Sequence, residues 1–299
     1  MKEQFFLFSG SSNHDLSESV SKTLNVNLGR MNLNQFPDGE IRVQILEQVR
    51  NVDVFIIQSI AKNPQDYFME LLIIIDALKR LSPKSITAII PYLGYCRQDR
   101  RDKPGMPITA KLIANMLRVA GITDLITFDL HSEQIEGFFD IPVNHLRCQT
   151  LLSQNVKKFI LEPFVILSPD IGSVRIGERV ANLLKMKFAI VKKERLNFQE
   201  TKGVLIGDIL NQNVLIVDDL CSTANTLIEA ANLCKQHGAK KVFAAITHGL
   251  FSQNAIQKIE KSCLEHLFVT DTIPQDEEPS FIKVVSIAPM IAEAILRRN

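Results

Sequence analysis

The segment VLIVDDLCSTANTLIEAANL at 214–233 runs an apolar stretch into two adjacent carboxylates, Asp218 and Asp219. A short loop of small hydroxyl residues follows, and then the pattern of a helix begins. Unpaired N–H groups at a helix start, together with the hydroxyls of Ser222, Thr223 and Thr226, make a cradle for a phosphate. The two aspartates in front of it suit hydrogen bonding to sugar hydroxyls or the organisation of a cation. A serine cap and an aspartate turn would use the same residue types. Two acids beside a hydroxyl run at the end of a buried strand favour the anion site. The segment is neither a Walker A loop nor a dinucleotide fingerprint, which need G-K-[ST] and G-x-G-x-x-G.

A second set of residues is suited to a divalent cation. Asp129 and His131 stand two apart in ITFDLH at 126–131, so they share one face if the strand extends that far. Asp170 ends another apolar run, VILSPD. Carboxylate oxygen and water suit magnesium, which binds largely through substrate phosphates. His14, His145, His237, His248 and His266 show no ligand spacing and read as structural. Basic residues cluster in YLGYCRQDRRDKPG (Arg97, Arg100, Arg101, Lys103) and in VKKERLNFQETKG (Lys192, Lys193, Arg195). Solvated charge explains either cluster alone. Their shared position after strands favours anionic substrates.

The elements that must position these groups alternate between short β-rich runs and helical stretches. Strands are expected at 52–58, 85–92 and 125–131, with helices at 66–81 and 108–121 between them. The pattern resumes with strands at 164–170, 188–193, 214–220, 241–248 and 282–289, helices at 227–238 and 255–262, and a short closing helix. Such alternation implies mostly parallel sheets covered by helices. The 299 residues divide into two α/β domains, 1–146 and 147–299. FPDGEIRVQILEQVR at 36–50 differs: a Pro-Asp-Gly turn and alternating IRVQI predict a hairpin or flap on the first domain.

Composition narrows the classes. A net charge of +1 gives no general attraction to nucleic acid or anionic lipid, so neither is an expected partner. The five cysteines are scattered and include no C-x-x-C pair, which argues against a disulfide framework or zinc knuckle. The run MELLIIIDALKRL is interrupted by charges and is shorter than a membrane span. The start, MKEQFFLFSG, has too short an apolar run for a signal segment. A cytoplasmic location is expected.

At these residues the chain resembles the ribose-phosphate pyrophosphokinase family. The resemblance is carried by FSGSSN (8–13), FPDGE (36–40), IPYLGYCRQDR (90–100), FDLHSEQIEGFFDIPV (128–143), SPDIGSVR (168–175), IVDDLCSTANTL (216–227) and VTDTIP (269–274). It implies two tandem phosphoribosyltransferase-like domains with mostly parallel central sheets, plus an N-domain flap. It also implies transfer of the diphosphoryl group of Mg-ATP to the 1-hydroxyl of ribose 5-phosphate, giving 5-phosphoribosyl 1-diphosphate and AMP. By the same resemblance Phe36, Asp38 and Glu40 meet adenine across a subunit boundary, and Arg97 and Gln98 help hold ATP. His131 and Asp170 serve Mg2+, and Asp218 and Asp219 meet ribose hydroxyls. Ser222, Thr223, Ala224, Asn225 and Thr226 surround the 5-phosphate, while Lys193 and Arg195 match the basic pair of the catalytic loop. A homodimer assembling into a hexamer is implied.

The chain departs from the family pattern at several of these positions. Ser222 and Asn225 replace an aspartate and a glycine of the phosphate loop, and Glu194 separates Lys193 from Arg195. If the backbone at 225 needs a positive φ, asparagine tolerates it better than most residues. Pro104 and Gly105 stand where a serine-arginine element is usual, and Asn144, His145, Leu146 and Arg147 replace aspartate-asparagine-leucine-tyrosine. Regulation by phosphate and ADP of the usual kind is therefore not expected. The alternative to an active enzyme is a weak or inactive family member that serves as a regulatory or structural subunit. A phosphoribosyltransferase acting on a base is disfavoured by the flap and the repeated domain.

Overall fold

The computed structural model describes residues 5–195, 201–276 and 279–298, without the side chains of 193–195 and 201–202. By proximity along the backbone the chain forms two compact units. The first comprises 1–146, 272–274 and 286–299, and the second 147–271 and 275–285.

In the first unit, β1 (Phe5–Ser9), β4 (Asp53–Ile57), β5 (Ser85–Ile90), β6 (Asp124–Phe128) and β7 (Val143–Leu146) form one sheet in the order β1-β4-β5-β6-β7. Every pairing in it is parallel. β2 (Met31–Gln35) and β3 (Ile41–Ile45) form a separate antiparallel hairpin, the expected flap. α1 (His14–Leu24), α2 (Pro64–Arg80) and α3 (Thr109–Ala120) are the connecting helices. Strands β4 to β6 are buried along nearly their whole length, which is why they read as continuous apolar runs rather than alternating ones. Phe8, Ile56, Leu71, Ile75 and Ile90 lie in the core between sheet and helices.

The second unit has α4 (Gln149–Phe159), β8 (Phe164–Ser168), α5 (Val174–Leu184), β9 (Phe188–Arg195), β10 (Thr201–Ile206), β11 (Asn213–Cys221), α6 (Asn225–Gln236), β12 (Val242–Gly249), α7 (Ala255–Glu260), β13 (Leu264–Thr270) and β14 (Ile282–Val285). Its sheet runs β10-β9-β8-β11-β12-β13-β14 and is parallel except for the β9–β10 hairpin. Val165, Ile216, Leu227, Ala231 and Ala244 belong to its core.

Two features differ from the sequence expectations. The run at 282–289 is a strand only to Val285, and α8 (Ala288–Leu296) follows with a proline in its first turn. The expected division gives residues 286–299 to the second domain, but they group with the first unit. The reason is packing: α8 lies against α1 and buries Ile291 and Ile295, and Arg298 is hydrogen-bonded to Thr87 and ion-paired with Asp124. Apolar periodicity identifies such a helix but not the surface that covers it.

Helix α5 approaches its sheet closely at Gly177, where an added Cβ would run into the Ser168 hydroxyl and the Phe188 ring. That hydroxyl donates to the Ser173 carbonyl at 3.1 Å, so the contact also holds the turn after β8. Gly177→Ala should therefore destabilise the protein by about 1–3 kcal/mol through overpacking, even though helix propensity favours alanine by about 1 kcal/mol. Urea denaturation reads this directly: an unchanged or raised midpoint would contradict the packing account.

Candidate active site

In the second unit β11 is a central strand between β8 and β12, and Val214 to Val217 are fully buried. Burial ends at Asp218 and Asp219, whose backbones continue the strand to Cys221. Residues 222–224 then turn the chain into α6. The N-cap of this helix, Ala224, makes no side-chain capping bond, and the first N–H groups of a helix have no intrahelical partner. Ser222 Oγ lies 3.0 Å from Ser252 Oγ, and Ser252 N–H donates to the Ser222 carbonyl at 3.0 Å. The loop is thereby tied to the segment after β12. The left-handed residue is Ala224, at φ 64°, whereas Asn225 begins the helix outside that region. The expected strain at 225 therefore falls one residue earlier. Asn225 contributes its side chain instead: Lys258 Nζ donates to Asn225 Oδ1 at 3.1 Å and to the Thr223 carbonyl at 3.4 Å.

Acidic side chains crowd this end of the sheet. Loss of water around the Asp218 carboxyl pushes its pKa well above the usual carboxylate range, and the charges of Asp219 and then Asp170 push it further. Asp218 Oδ1 accepts the Asp219 N–H at 3.0 Å. Asp170, just beyond β8, accepts the Ser173 N–H at 3.1 Å through Oδ1. Cys221 is buried beside them, and desolvation followed by the Asp218 charge pushes its thiol up to about 12. Among the described residues no three His, Cys, Asp or Glu side chains converge closely enough to hold a metal ion unaided. Neighbouring carboxylates whose charges raise the pKa of Asp218 fit a hard cation that arrives with other oxygen ligands, as magnesium does on a polyphosphate.

The first unit holds the other candidates. At the hairpin tip Phe36 N–H donates to the Glu40 carbonyl at 2.8 Å, Gly39 turns at φ 94°, and Asp38 Oδ1 accepts the Glu40 N–H at 3.2 Å. Phe36 is exposed, with the Arg42 guanidinium 5.5 Å from its ring centroid. This is a presented aromatic and not a core residue. After β5, Gly94 packs so near the Ile60 carbonyl that no Cβ fits there. Arg97 and Gln98 follow, both exposed, and Gln98 is fixed through its carbonyl to Ala110 N–H at 3.2 Å and through its side chain to the Thr109 hydroxyl.

His131 lies in the first unit and Asp170 in the second. Asp129 and His131 do not share a strand face as expected. β6 stops at Phe128, and Asp129 takes a positive φ of 31°, so Asp129 is buried while His131 is exposed. Lys193 and Arg195 are on β9, opposite Gly203 and Thr201 of β10, and their side chains are outside the described residues.

Two residues at these sites escape sequence reasoning. Lys258 is 33 residues from the asparagine it contacts, and its only local signal is a basic residue on α7, shortly after THGLFS. His145, read as structural, accepts the Leu130 N–H at its Nε2 at 2.9 Å, a contact across 15 residues.

Comparison with known proteins places these features in context. The model for the N-terminal domain of ribose phosphate pyrophosphokinase matches residues 5–121, and that for the phosphoribosyl synthetase-associated domain matches residues 165–299. The ribose-phosphate pyrophosphokinase of Campylobacter jejuni is 47% identical over 292 residues, covering 97% of this chain and 94% of the relative. That of Nitrosomonas europaea is 43% identical over 300 residues, covering 99% and 95%. The crystal structure of phosphoribosylpyrophosphate synthetase from Mycobacterium smegmatis superposes with a TM-score of 0.93 at 36% identity, over 99% of this chain and 100% of that one.

The raised pKa of Asp218 has a stability consequence. Its folded form holds a proton that the unfolded chain releases at the ordinary value, so stability is complete below the unfolded pKa and falls as pH rises through the folded one. Asp218→Asn keeps an acceptor for the Asp219 N–H and removes the charge. The ligand-free variant should therefore be more stable than the parent at pH 8 and indistinguishable from it near pH 4. Urea titrations at both pH values test the sign, and a variant less stable at pH 8 would refute it.

Proposed function

Because the chain belongs to the ribose-phosphate pyrophosphokinase family, we propose how its own residues carry out that family's reaction. It makes 5-phosphoribosyl 1-diphosphate from ATP and ribose 5-phosphate. The observation that carries the reading of the site is the uncapped start of α6 directly behind Asp218 and Asp219.

The 5-phosphate occupies the loop of Ser222, Thr223, Ala224, Asn225 and Thr226, where helix N–H groups and hydroxyls receive it. Asp218 and Asp219 accept hydrogen bonds from ribose hydroxyls, which fixes the 1-hydroxyl as attacking group. Phe36 offers its exposed face to adenine, Asp38 and Glu40 border the base, and Arg97 and Gln98 orient the nucleotide. Lys193 and Arg195 lie on the β9–β10 hairpin, where basic side chains would neutralise charge on the transferred group. His131 and Asp170 are the residues that would hold Mg2+, and the trio of carboxylates around Asp218 supports a cation's presence. Bound there, magnesium supplies positive charge to the ATP phosphates. Positioning and electrostatics supply most of the acceleration.

The solvent-exposed Phe36 at the hairpin tip supports an adenine site completed across a subunit boundary, in a homodimer that builds a hexamer. Among the described residues no helix is long and apolar enough to cross a membrane. That observation is compatible with a cytoplasmic enzyme.

The test is to follow AMP and 5-phosphoribosyl 1-diphosphate from ribose 5-phosphate and Mg-ATP, with Lys193→Ala beside the parent chain. Lys193→Ala should lower kcat by about 10²–10³-fold, the usual cost of removing one transition-state donor. A folded, oligomeric parent that forms no product would favour the regulatory-subunit reading instead.

A further inference from the structure

The hydrogen bonds around residues 129–131 point to a positioning device. Beyond β6, Asp129 N–H donates to the Leu146 carbonyl at 3.0 Å, and the positive φ at Asp129 turns the next peptide out of the ladder. Leu130 N–H is then taken up by a side chain rather than by a strand carbonyl: it donates to His145 Nε2 at 2.9 Å. A nitrogen that accepts from a backbone amide carries no proton, so the proton of the neutral ring is on Nδ1. That nitrogen lies 2.5 Å from Glu136 Oε1, to which it donates. The imidazole is only 5% exposed, and the Glu136 side chain is 40% exposed. His145 stands opposite Thr127 in the β6–β7 register, directly under the loop it holds. Glu136 comes from the 3₁₀ turn at Glu133–Phe138, so three separate pieces of the first unit meet at one ring.

We propose that His145 is a positioning residue for the nucleotide–cation loop. Its neutral imidazole, held as the Nδ1–H tautomer by Glu136, fixes the Leu130 amide and thereby presents His131 beyond the end of β6. The inference rests on the reading of His131 as a cation residue. The role requires an acceptor at the Nε2 position and a donor facing Glu136. A long apolar side chain supplies neither, whereas glutamine supplies the acceptor through Oε1. Partners that orient a metal-binding side chain govern its affinity strongly, even though they touch neither metal nor substrate.

The test uses the full chain. In 15N-histidine-labelled protein, long-range proton–nitrogen correlations should show His145 with a protonated Nδ1 and a bare Nε2. Manganese stands in for magnesium, and its binding in the presence of ATP is followed by electron paramagnetic resonance. His145→Leu should weaken that binding by about 10-fold, with KM for ATP rising in parallel and KM for ribose 5-phosphate unchanged. His145→Gln should stay within about twofold of the parent. Should His145→Leu fail to fold, Glu136→Leu decides, since it keeps the ring and removes the acceptor for its Nδ1–H. It should give mixed tautomers and a smaller loss of manganese binding. An Nε2–H ring in the parent, a His145→Gln variant as impaired as His145→Leu, or folded His145→Leu and Glu136→Leu variants that bind manganese normally would each overturn the proposal. His131→Ala separates the two readings: normal manganese binding in that variant removes the cation role of His131, and the tautomer spectrum still reports the clamp.

Discussion

A parallel sheet must stop somewhere, and where it stops its backbone groups need new partners. That constraint organises both units. Inside the sheets the central strands are satisfied by neighbours on both sides, and their residues can be almost wholly apolar. At the strand ends the hydrogen bonding passes to helix starts, side chains or incoming molecules. After β11 it passes to a helix start without a side-chain cap, the place proposed for the 5-phosphate. After β6 it passes to an imidazole, which leaves a histidine displayed. The same termination yields a binding surface in one unit and a presented side chain in the other.

Charge follows from this placement. The carboxyl of Asp218 is drawn into a poorly hydrated environment beside two further acids. Substrate phosphates, their cation and basic side chains are together a better match to this arrangement than any one of them. The phosphate loop adds a small correction of its own. Lys258 engages Asn225, so a position that departs from the family's glycine is tied into the scaffold instead of being left to strain.

Much of the architecture is readable from residue order because strands buried on both faces leave unbroken apolar runs. β4, β5, β8, β11 and β12 are all of this kind. The hairpin is equally legible from its turn chemistry, since Gly39 adopts the positive φ that a Pro-Asp-Gly sequence invites. What escapes is whatever depends on distance through space. Nothing local in AEAIL says that α8 belongs with α1. Nothing in TANT says that alanine, the less tolerant residue, takes the left-handed conformation. The acid pair and hydroxyl loop announce themselves because strand, acids and helix start are contiguous. His145 does not, because its meaning lies in an amide 15 residues away.

Cys221 sits at the last position of β11, between the acid pair and the phosphate loop, a location where a reactive sulfur would leave the site open to oxidants. Its surroundings prevent that. With the thiol pushed up to about 12, the nucleophilic thiolate is scarce at neutral pH. Cys96 and Cys234 are likewise buried, with thiols pushed up to about 12. The sulfur at the heart of the site therefore behaves as a small hydrocarbon, and the chemistry around it is insulated from the redox state of its surroundings.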